Sequence, residues 1–228
     1  MPRHAIIGGI LRCISFLLIM CVSLRGAHIC TTDQVAGDTR NEFQVWSGNS
    51  QVSGGPISRT PDRQFTVAGF LYSRRCWSWS KTSLSYNAGF LPAAIVNVPN
   101  NFTIPGGGNG TVVVVLHGPL VFAHSVYGVA VTPVGFTFDA WRSRRVYPFI
   151  EADGGIIKSV EPVPYTEYPS ATTANFLMSL GSGVKVRLGK SIAASLGYKL
   201  MHLSNGHRTS FNPGLDNNVV FAGISLLK

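Results

Sequence analysis

Two neighbouring segments near the C-terminus constrain the fold most, because apolar residues alternate in them with small or charged ones. Even-numbered residues of the last segment are apolar until its final pair, and they read Ile192, Ala194, Leu196, Tyr198, Leu200, His202 and Ser204. The segment before it alternates Phe176, Met178, Leu180, Val184, Val186 and Leu188 with Asn175, Ser179, Gly181, Gly183, Lys185 and Arg187. Since residues i and i+2 of a strand point to the same side, both segments are predicted to be strands with one apolar face.

The residues on the opposite faces indicate a membrane barrel. A soluble sheet turns its apolar face inward, whereas a transmembrane barrel turns it outward to lipid and keeps small or polar residues inside. Gly181, Gly183 and Gly197 share the charged faces, and they suit a narrow lumen better than a solvent-exposed surface. A soluble lipocalin-like carrier, which requires the reverse orientation, is the less favoured alternative.

Similar segments recur along the chain between clusters of Gly, Pro, Asn and Ser. They predict eight strands, at about 42–49, 65–75, 82–95, 125–139, 146–159, 174–188, 191–204 and 217–227. The long connections are 50–64, 96–124, 160–173 and 205–216, and short turns alternate with them. Long outer loops and short periplasmic turns are typical of outer-membrane barrels. The sequence therefore predicts an all-β, eight-stranded antiparallel transmembrane barrel over residues 28–228.

The N-terminal residues 1–27 are predicted to be a secretory signal peptide. Arg3 and Arg12 precede an apolar run at 13–24, and the small residues Gly26 and Ala27 follow it. The run is shorter than the ~20 apolar residues of a membrane-spanning helix. Because Arg25 occupies a position where a small residue is preferred, the sequence does not fix the exact cleavage site.

The composition excludes several classes of function. Charged residues make up 13% of the chain, against ~25% in ordinary soluble domains. The net charge is +9, but no basic helix or Lys-rich run accompanies it, so nucleic acid is not the expected partner. Cys30 and Cys76 have no zinc-site spacing and leave at most a single disulfide open. We expect no metal and no cofactor.

His202, Ser204 and Asp216 are the candidate catalytic residues. His202 and Ser204 share one strand face, and Asp216 returns after the Asn212-Pro213-Gly214 turn. These residue types supply a base, a nucleophile and an orienting acid within fifteen residues. The face they share is the predicted lipid-facing one, where polar groups are costly without a function. The alternative is an ordinary polar strand end.

Two acids are predicted to have a structural role inside the barrel. Glu151 and Asp153 alternate on the predicted lumen face, and we expect them to pair with Lys185, Arg187 or Lys199. The short turn before this strand carries three arginines that are expected to be solvated anchors at the membrane interface, namely Arg142, Arg144 and Arg145.

The run from His202-Leu-Ser204-Asn205 to Asn212-Pro213-Gly214-Leu-Asp216 resembles the signature of the PagL family of outer-membrane lipid A 3-O-deacylases, also described as acyloxyacyl hydrolase-like. Weaker agreement extends through residues 42–48, 147–155 and 176–184. The C-terminal motif is the specific part of the resemblance, since the upstream agreement follows a general barrel pattern.

The resemblance implies an enzyme of the bacterial outer membrane that hydrolyses the ester-linked 3-hydroxyacyl chain at position 3 of lipid A. By the same resemblance Ser204 is the nucleophile, His202 the general base and Asp216 the acid that orients the histidine. Asn212, together with Gly214, is implied to help bind the oxyanion. Glu is frequent at the acid position in this family, so the shorter Asp216 is expected to need a loop that brings it closer.

The implied partner is lipid A or lipopolysaccharide of the outer leaflet, bound by a membrane-embedded protein. A homodimer is one possibility that the sequence leaves undecided. The second hypothesis is a non-catalytic outer-membrane barrel with a structural or adhesion role, in which His202 and Ser204 belong to the interfacial girdle of the barrel.

Overall fold

The computed structural model describes residues 41–50, 56–58, 60, 63–99, 102–105, 111–114, 122–163, 172–209, 212 and 214–228. The predicted signal peptide at residues 1–27 lies outside this part of the chain. The described residues form ten strands: β1 (Asn41–Ser50), β2 (Gln64–Trp79), β3 (Thr82–Pro99), β4 (Phe102–Pro105), β5 (Thr111–Val114), β6 (Phe122–Ala140), β7 (Val146–Val163), β8 (Thr172–Arg187), β9 (Ile192–Ser204) and β10 (Leu215–Leu227).

Eight of these strands close into an antiparallel barrel, as the sequence predicted. Their order around the barrel is β1, β10, β9, β8, β7, β6, β3 and β2, while β4 and β5 pair with each other. The part of the chain with assigned structure contains no helix long and apolar enough to span a membrane.

The predicted connection at 96–124 is the main difference from the sequence prediction. β3 continues to Pro99, β6 begins at Phe122, and the β4–β5 hairpin lies between them. β3 continues because Val96 and Val98 extend its buried, inward-facing series beyond the predicted end at residue 95. The barrel wall is therefore longer here than the sequence predicted.

The two ends of the barrel differ. The first and last strands meet through reciprocal backbone bonds, with 2.8 Å between Asn41 N and Lys228 O and 2.8 Å between Lys228 N and Asn41 O. The short turns 80–81, 141–145 and 188–191 lie at this end, which we call the short-turn end. The connections 51–63, 100–121, 164–171 and 205–214 join strands at the opposite, long-loop end.

Side chains alternate between an apolar outer wall and a closed lumen. On β8 and β9 the side chains of Leu180, Val184 and Leu196 are exposed on the outer wall, whereas Lys185 and Lys199 are buried inside. This arrangement is the one predicted for a membrane barrel, in which the exposed apolar face contacts lipid.

The lumen has a charged zone towards the short-turn end. Lys199 Nζ lies 2.8 Å from Glu151 Oε1 and 3.7 Å from Asp153 Oδ2, so the predicted pairing of these acids with Lys199 is confirmed. Lys185 pairs instead with Glu42 at 3.0 Å and with Asp139 at 3.5 Å. Buried charges of this kind persist only when they are paired.

Arg142 differs from its predicted role, and Arg187 is not the one of the three alternative partners that pairs with Glu151 and Asp153. Arg142 is buried, and its Nη1 lies 3.3 Å from Asp139 Oδ2, so the prediction of a solvated anchor was wrong for this residue. Its neighbours Arg144 and Arg145 are exposed. The guanidinium of Arg187 lies 5.6 Å from the centre of the Tyr147 ring rather than beside an acid.

The lumen towards the long-loop end is mainly apolar, although Arg63, Asn175 and Asn217 are also buried at this end. Its buried side chains include Phe65, Val67, Leu91, Val96, Val126, Ile157, Leu177, Met201, Leu203, Leu215 and Val219. Leu203 and Leu215 are adjacent in sequence to the candidate catalytic residues, with their side chains on the opposite face of the wall. The packed lumen thus supports the backbone on which the candidate site is built.

Candidate active site

His202 and Asp216 form a cross-strand pair on the outer wall. They face each other directly in the β9–β10 register, and His202 Nδ1 lies 2.5 Å from Asp216 Oδ1. Directly opposed residues of an antiparallel pair have Cβ atoms about 4.5–5.5 Å apart, so a short side chain reaches across. The expectation that a loop must bring this aspartate closer was therefore wrong.

A segment of the β1–β2 connection covers Asp216. Its Oδ2 accepts hydrogen bonds from Ile57 N and Ser58 N, each at 2.9 Å, and the residue is 0% exposed although it lies on the outward face. Thr60 Oγ1 donates to Gly214 O at 2.5 Å and ties the same segment to the start of β10. These bonds hold Oδ2, so Oδ1 is the oxygen that meets the imidazole.

Ser204 ends β9 on the same face as His202. Its Oγ accepts hydrogen bonds from Gly206 N at 3.0 Å and from Asn212 Nδ2 at 3.1 Å. Asn212 Oδ1 accepts from Asn205 N at 3.0 Å, which fixes the amide so that its NH₂ group points to the serine. Within the described structure Ser204 forms no hydrogen bond with His202; two donors hold its oxygen instead.

The turn after Ser204 has an unusual backbone. Gly206 and His207 have φ values of 64° and 56°, in the left-handed region that non-glycine residues seldom adopt. A Cβ on Gly206 would lie 2.6 Å from the Phe176 ring, so only glycine fits there. This conformation aims the Gly206 N–H at Ser204, which makes Gly206 a site residue that the sequence motif did not indicate.

Gly214 has a different place from the one implied by the sequence resemblance. Its φ is 66°, and a Cβ there would lie 3.0 Å from His202 Cε1. Its carbonyl accepts the Thr60 hydroxyl. Gly214 thus packs against the imidazole, while the donors that contact Ser204 come from Gly206 and Asn212.

An apolar track on the outer wall leads from the site towards the short-turn end. Phe176 and Met178 of β8 are the register partners of Ser204 and His202, and both are exposed. Leu180 and Leu196 continue the track across β8 and β9. A polar site at the top of an apolar wall is suited to a substrate with a polar head and a hydrocarbon tail.

Among the described residues, no group of three or more His, Cys, Asp or Glu side chains is placed to hold a metal ion. Cys76 is disulfide-bonded. The sequence left open a disulfide between Cys76 and Cys30, and Cys30 lies outside the described residues.

The closed barrel with an apolar outer wall defines an integral outer-membrane barrel protein. The family model described as "Lipid A 3-O-deacylase (PagL)" matches residues 72–225, a span that includes all the candidate catalytic residues. The chain belongs to the PagL family, as the C-terminal motif predicted, and it is a protein of the bacterial outer membrane.

A solved structure shares the barrel fold. The crystal structure of the outer membrane enzyme PagL is 14% identical, with a TM-score of 0.54 over 80% of this chain and 97% of that chain. Neisserial surface protein A is 9% identical, with a TM-score of 0.48 over 83% of this chain and 98% of that chain. Curated protein sequences yield no match.

Proposed function

We propose that this protein is an esterase that removes the ester-linked 3-hydroxyacyl chain at position 3 of lipid A, with Ser204, His202 and Asp216 as its catalytic residues. The observation that carries the proposal is the His202–Asp216 pair beside a serine whose oxygen meets two hydrogen-bond donors. Membership of the PagL family supplies the substrate class.

The histidine is prepared for the role of general base. Since Nδ1 is engaged by Asp216 at 2.5 Å, Nε2 is the ring nitrogen left to accept a proton from Ser204. Asp216 holds the ring in this orientation and stabilises the imidazolium that forms on attack. The backbone donors Ile57 N and Ser58 N keep the carboxylate fixed during this change.

Ser204 needs a side-chain rotation to begin the reaction. Its Oγ now occupies the position next to Gly206 N and Asn212 Nδ2, and rotation about χ1 towards His202 releases both donors. The carbonyl oxygen of the ester then takes the vacated position and receives the two hydrogen bonds as its negative charge develops. Catalytic hydrogen bonds often form only in the substrate complex.

The reaction proceeds in two halves. Ser204 Oγ bonds to the acyl carbon while its proton passes to His202, and the sugar oxygen leaves with that proton. Water then attacks the acyl-serine with His202 again as base, which releases the 3-hydroxy fatty acid and restores the serine. The apolar track along Met178 and Leu180 receives the acyl chain during both halves.

Mass spectrometry of lipid A tests this function. Lipid A from cells that express the wild-type protein should lose the mass of one 3-hydroxyacyl chain, and lipid A from cells with Ser204→Ala should keep it. Ser182→Ala is the matched control, since Ser182 is an exposed serine on the same face of the neighbouring strand. Unmodified lipid A with folded wild-type protein would favour the non-catalytic barrel.

A further inference from the structure

Two exposed cations flank the serine on the outer wall at the long-loop end. Arg208 follows Ser204 by four residues, and Lys158 lies on β7 with its side chain outward. Lys158 contacts Thr173 and Arg208 contacts Ala174, which are consecutive residues at the long-loop end of β8. Neither takes part in the proposed acyl transfer, so their position next to the nucleophile needs its own explanation.

Arg208 is fixed in place by neutral groups. Its Nε donates to Asn205 O at 2.9 Å, its Nη2 donates to Ala174 O, and its guanidinium lies 5.2 Å from the centre of the Phe176 ring. Phe176 is the register partner of Ser204, so the guanidinium lies over the ring of the residue that faces the nucleophile across the strand pair. Two of its five N–H groups are used, and in the described residues the others have no partner.

Lys158 approaches the same position from the other side of β8. Its register partner is Ala174, and its Nζ donates to Thr173 Oγ1. The nearby Glu161 is engaged by His124 at 3.0 Å. Over the described part of the chain no carboxylate forms an ion pair with Lys158 or Arg208, so an anion can be shared between the two cations.

The apolar track sets the direction in which a lipid lies. An acyl chain attached to Ser204 follows Met178 and Leu180 towards the short-turn end, because these exposed side chains face hydrocarbon. The head group must then extend towards the long-loop end, where Arg208 and Lys158 lie. Arg and Lys together suit a phosphate, which accepts several charge-assisted hydrogen bonds.

We propose that Arg208 and Lys158 form a binding subsite for a phosphate group on the sugar of the lipid substrate. The subsite orients the head group so that the ester carbonyl meets Ser204, and it makes the phosphorylated lipid the preferred substrate. The proposal rests on the deacylase function proposed above, from which it takes the position of the ester.

Kinetics with two lipids test the subsite. The purified full-length protein in zwitterionic micelles is assayed with lipid A and with the same lipid A after removal of its phosphates. Lys158→Gln should raise KM for the phosphorylated lipid about fivefold and leave kcat unchanged, and adding Arg208→Gln should bring the increase to about tenfold or more. Neither variant should change KM for the dephosphorylated lipid.

Two controls separate this effect from simpler ones. Lys190→Gln removes an exposed cation at the short-turn end and should leave both KM values unchanged. Arg208→Lys keeps the charge and should retain most of the preference for the phosphorylated lipid. Equal losses on both lipids, or the same loss in Lys190→Gln, would overturn the subsite, because the cations would then act through stability or general surface charge.

Binding to Ser204→Ala separates the subsite from the deacylase function. We expect this variant to bind the phosphorylated lipid about tenfold more tightly than the dephosphorylated one, and to lose the difference when Lys158 and Arg208 are both changed to Gln. Phosphate-dependent binding without hydrolysis by any variant would reject the deacylase and keep the subsite. Equal binding of both lipids would reject the subsite, whatever the hydrolysis.

Discussion

Lys199 and His202 lie three residues apart on β9, yet they belong to different kinds of site. Lys199 faces the lumen, is 3% exposed, and lies between Glu151 and Asp153. His202 faces the outer wall beside Asp216, with its other ring nitrogen directed away from that pair. The Lys199 ammonium is enclosed by its ion-pair partners in the lumen. The His202 imidazole is bound by Asp216 through Nδ1 only, and its Nε2 has no such partner in the described structure.

The difference shows how one strand serves stability and chemistry at once. A buried charge enclosed by acids and by the rings of Trp46 and Phe221 has no route to a substrate and is needed to neutralise those acids. A pair that leaves one nitrogen unused on an exposed face is suited to proton transfer. Substitutions on the two faces of β9 should therefore affect different measurements.

The largest effect should come from His202→Asn. Without a base the deacylation rate should fall by about 10⁴-fold or more, because residues that act as one catalytic unit fail together. Initial rates of fatty acid release measure this, and the heat-modified gel mobility of the barrel should stay that of the wild type. Retained activity in this variant would remove His202 from the proposed role.

Asp216→Asn should have the next largest effect. Asparagine has one acceptor oxygen and an NH₂ donor in place of two acceptor oxygens, so it cannot accept from the Ile57 and Ser58 N–H groups and from the imidazole N–H together. The rate should therefore fall by about 10³–10⁴-fold. Asp216→Glu keeps a carboxylate and should retain more activity than Asp216→Asn in the same assay. An asparagine variant with full activity would mean that His202 and Ser204 act without this acid.

Lys199→Met should show the opposite profile. Removing the lysine leaves Glu151 and Asp153 buried without a counter-charge, and the free energy of unfolding should fall by about 3–5 kcal/mol. Denaturant unfolding in micelles measures this, while kcat of the folded fraction should remain near the wild-type value. Adding Glu151→Gln and Asp153→Asn to Lys199→Met should restore part of the stability. A loss of kcat without loss of stability would contradict the division between the two faces.

The smallest effect expected is that of charge on the lipid-facing wall. Leu196→Arg should lower the free energy of unfolding by about 2–4 kcal/mol, whereas Leu188→Arg at the short-turn end should cost about 0–1 kcal/mol. Ser195 is not a useful lumen control, since its Oγ accepts a 2.7 Å bond from Gln44 in a filled interior. Equal costs at residues 188 and 196 would contradict the predicted depth of the wall.

The alternation of residues was sufficient to predict the barrel and the faces of its strands. It placed His202 and Ser204 on the outer wall because strand parity is a local property of the sequence. The partners of Asp216 could not be predicted in this way, since Ile57 and Ser58 reach it across 159 and 158 residues from a connection without a regular pattern.

Two further features depended on geometry rather than pattern. Gly206 N donates a hydrogen bond to Ser204 Oγ because two consecutive residues adopt positive φ values. The amino-acid sequence of the turn does not specify this conformation. Lys185 pairs with Glu42 across the closure of the barrel, 143 residues away, instead of with the nearer acids that the sequence suggested. Contacts of this kind follow from the barrel closure and register, which local alternation leaves undetermined.

The most direct test of a nucleophilic serine on the outer wall is reaction with a lipid-tailed fluorophosphonate, followed by peptide mass spectrometry. The phosphonate should be found on Ser204 in the wild-type protein embedded in a bilayer, with fluoride as the leaving group, and it should be absent from the exposed Ser182. His202→Asn should abolish the labelling. An unlabelled Ser204 in the folded wild-type barrel, or labelling that persists in His202→Asn, would contradict the account.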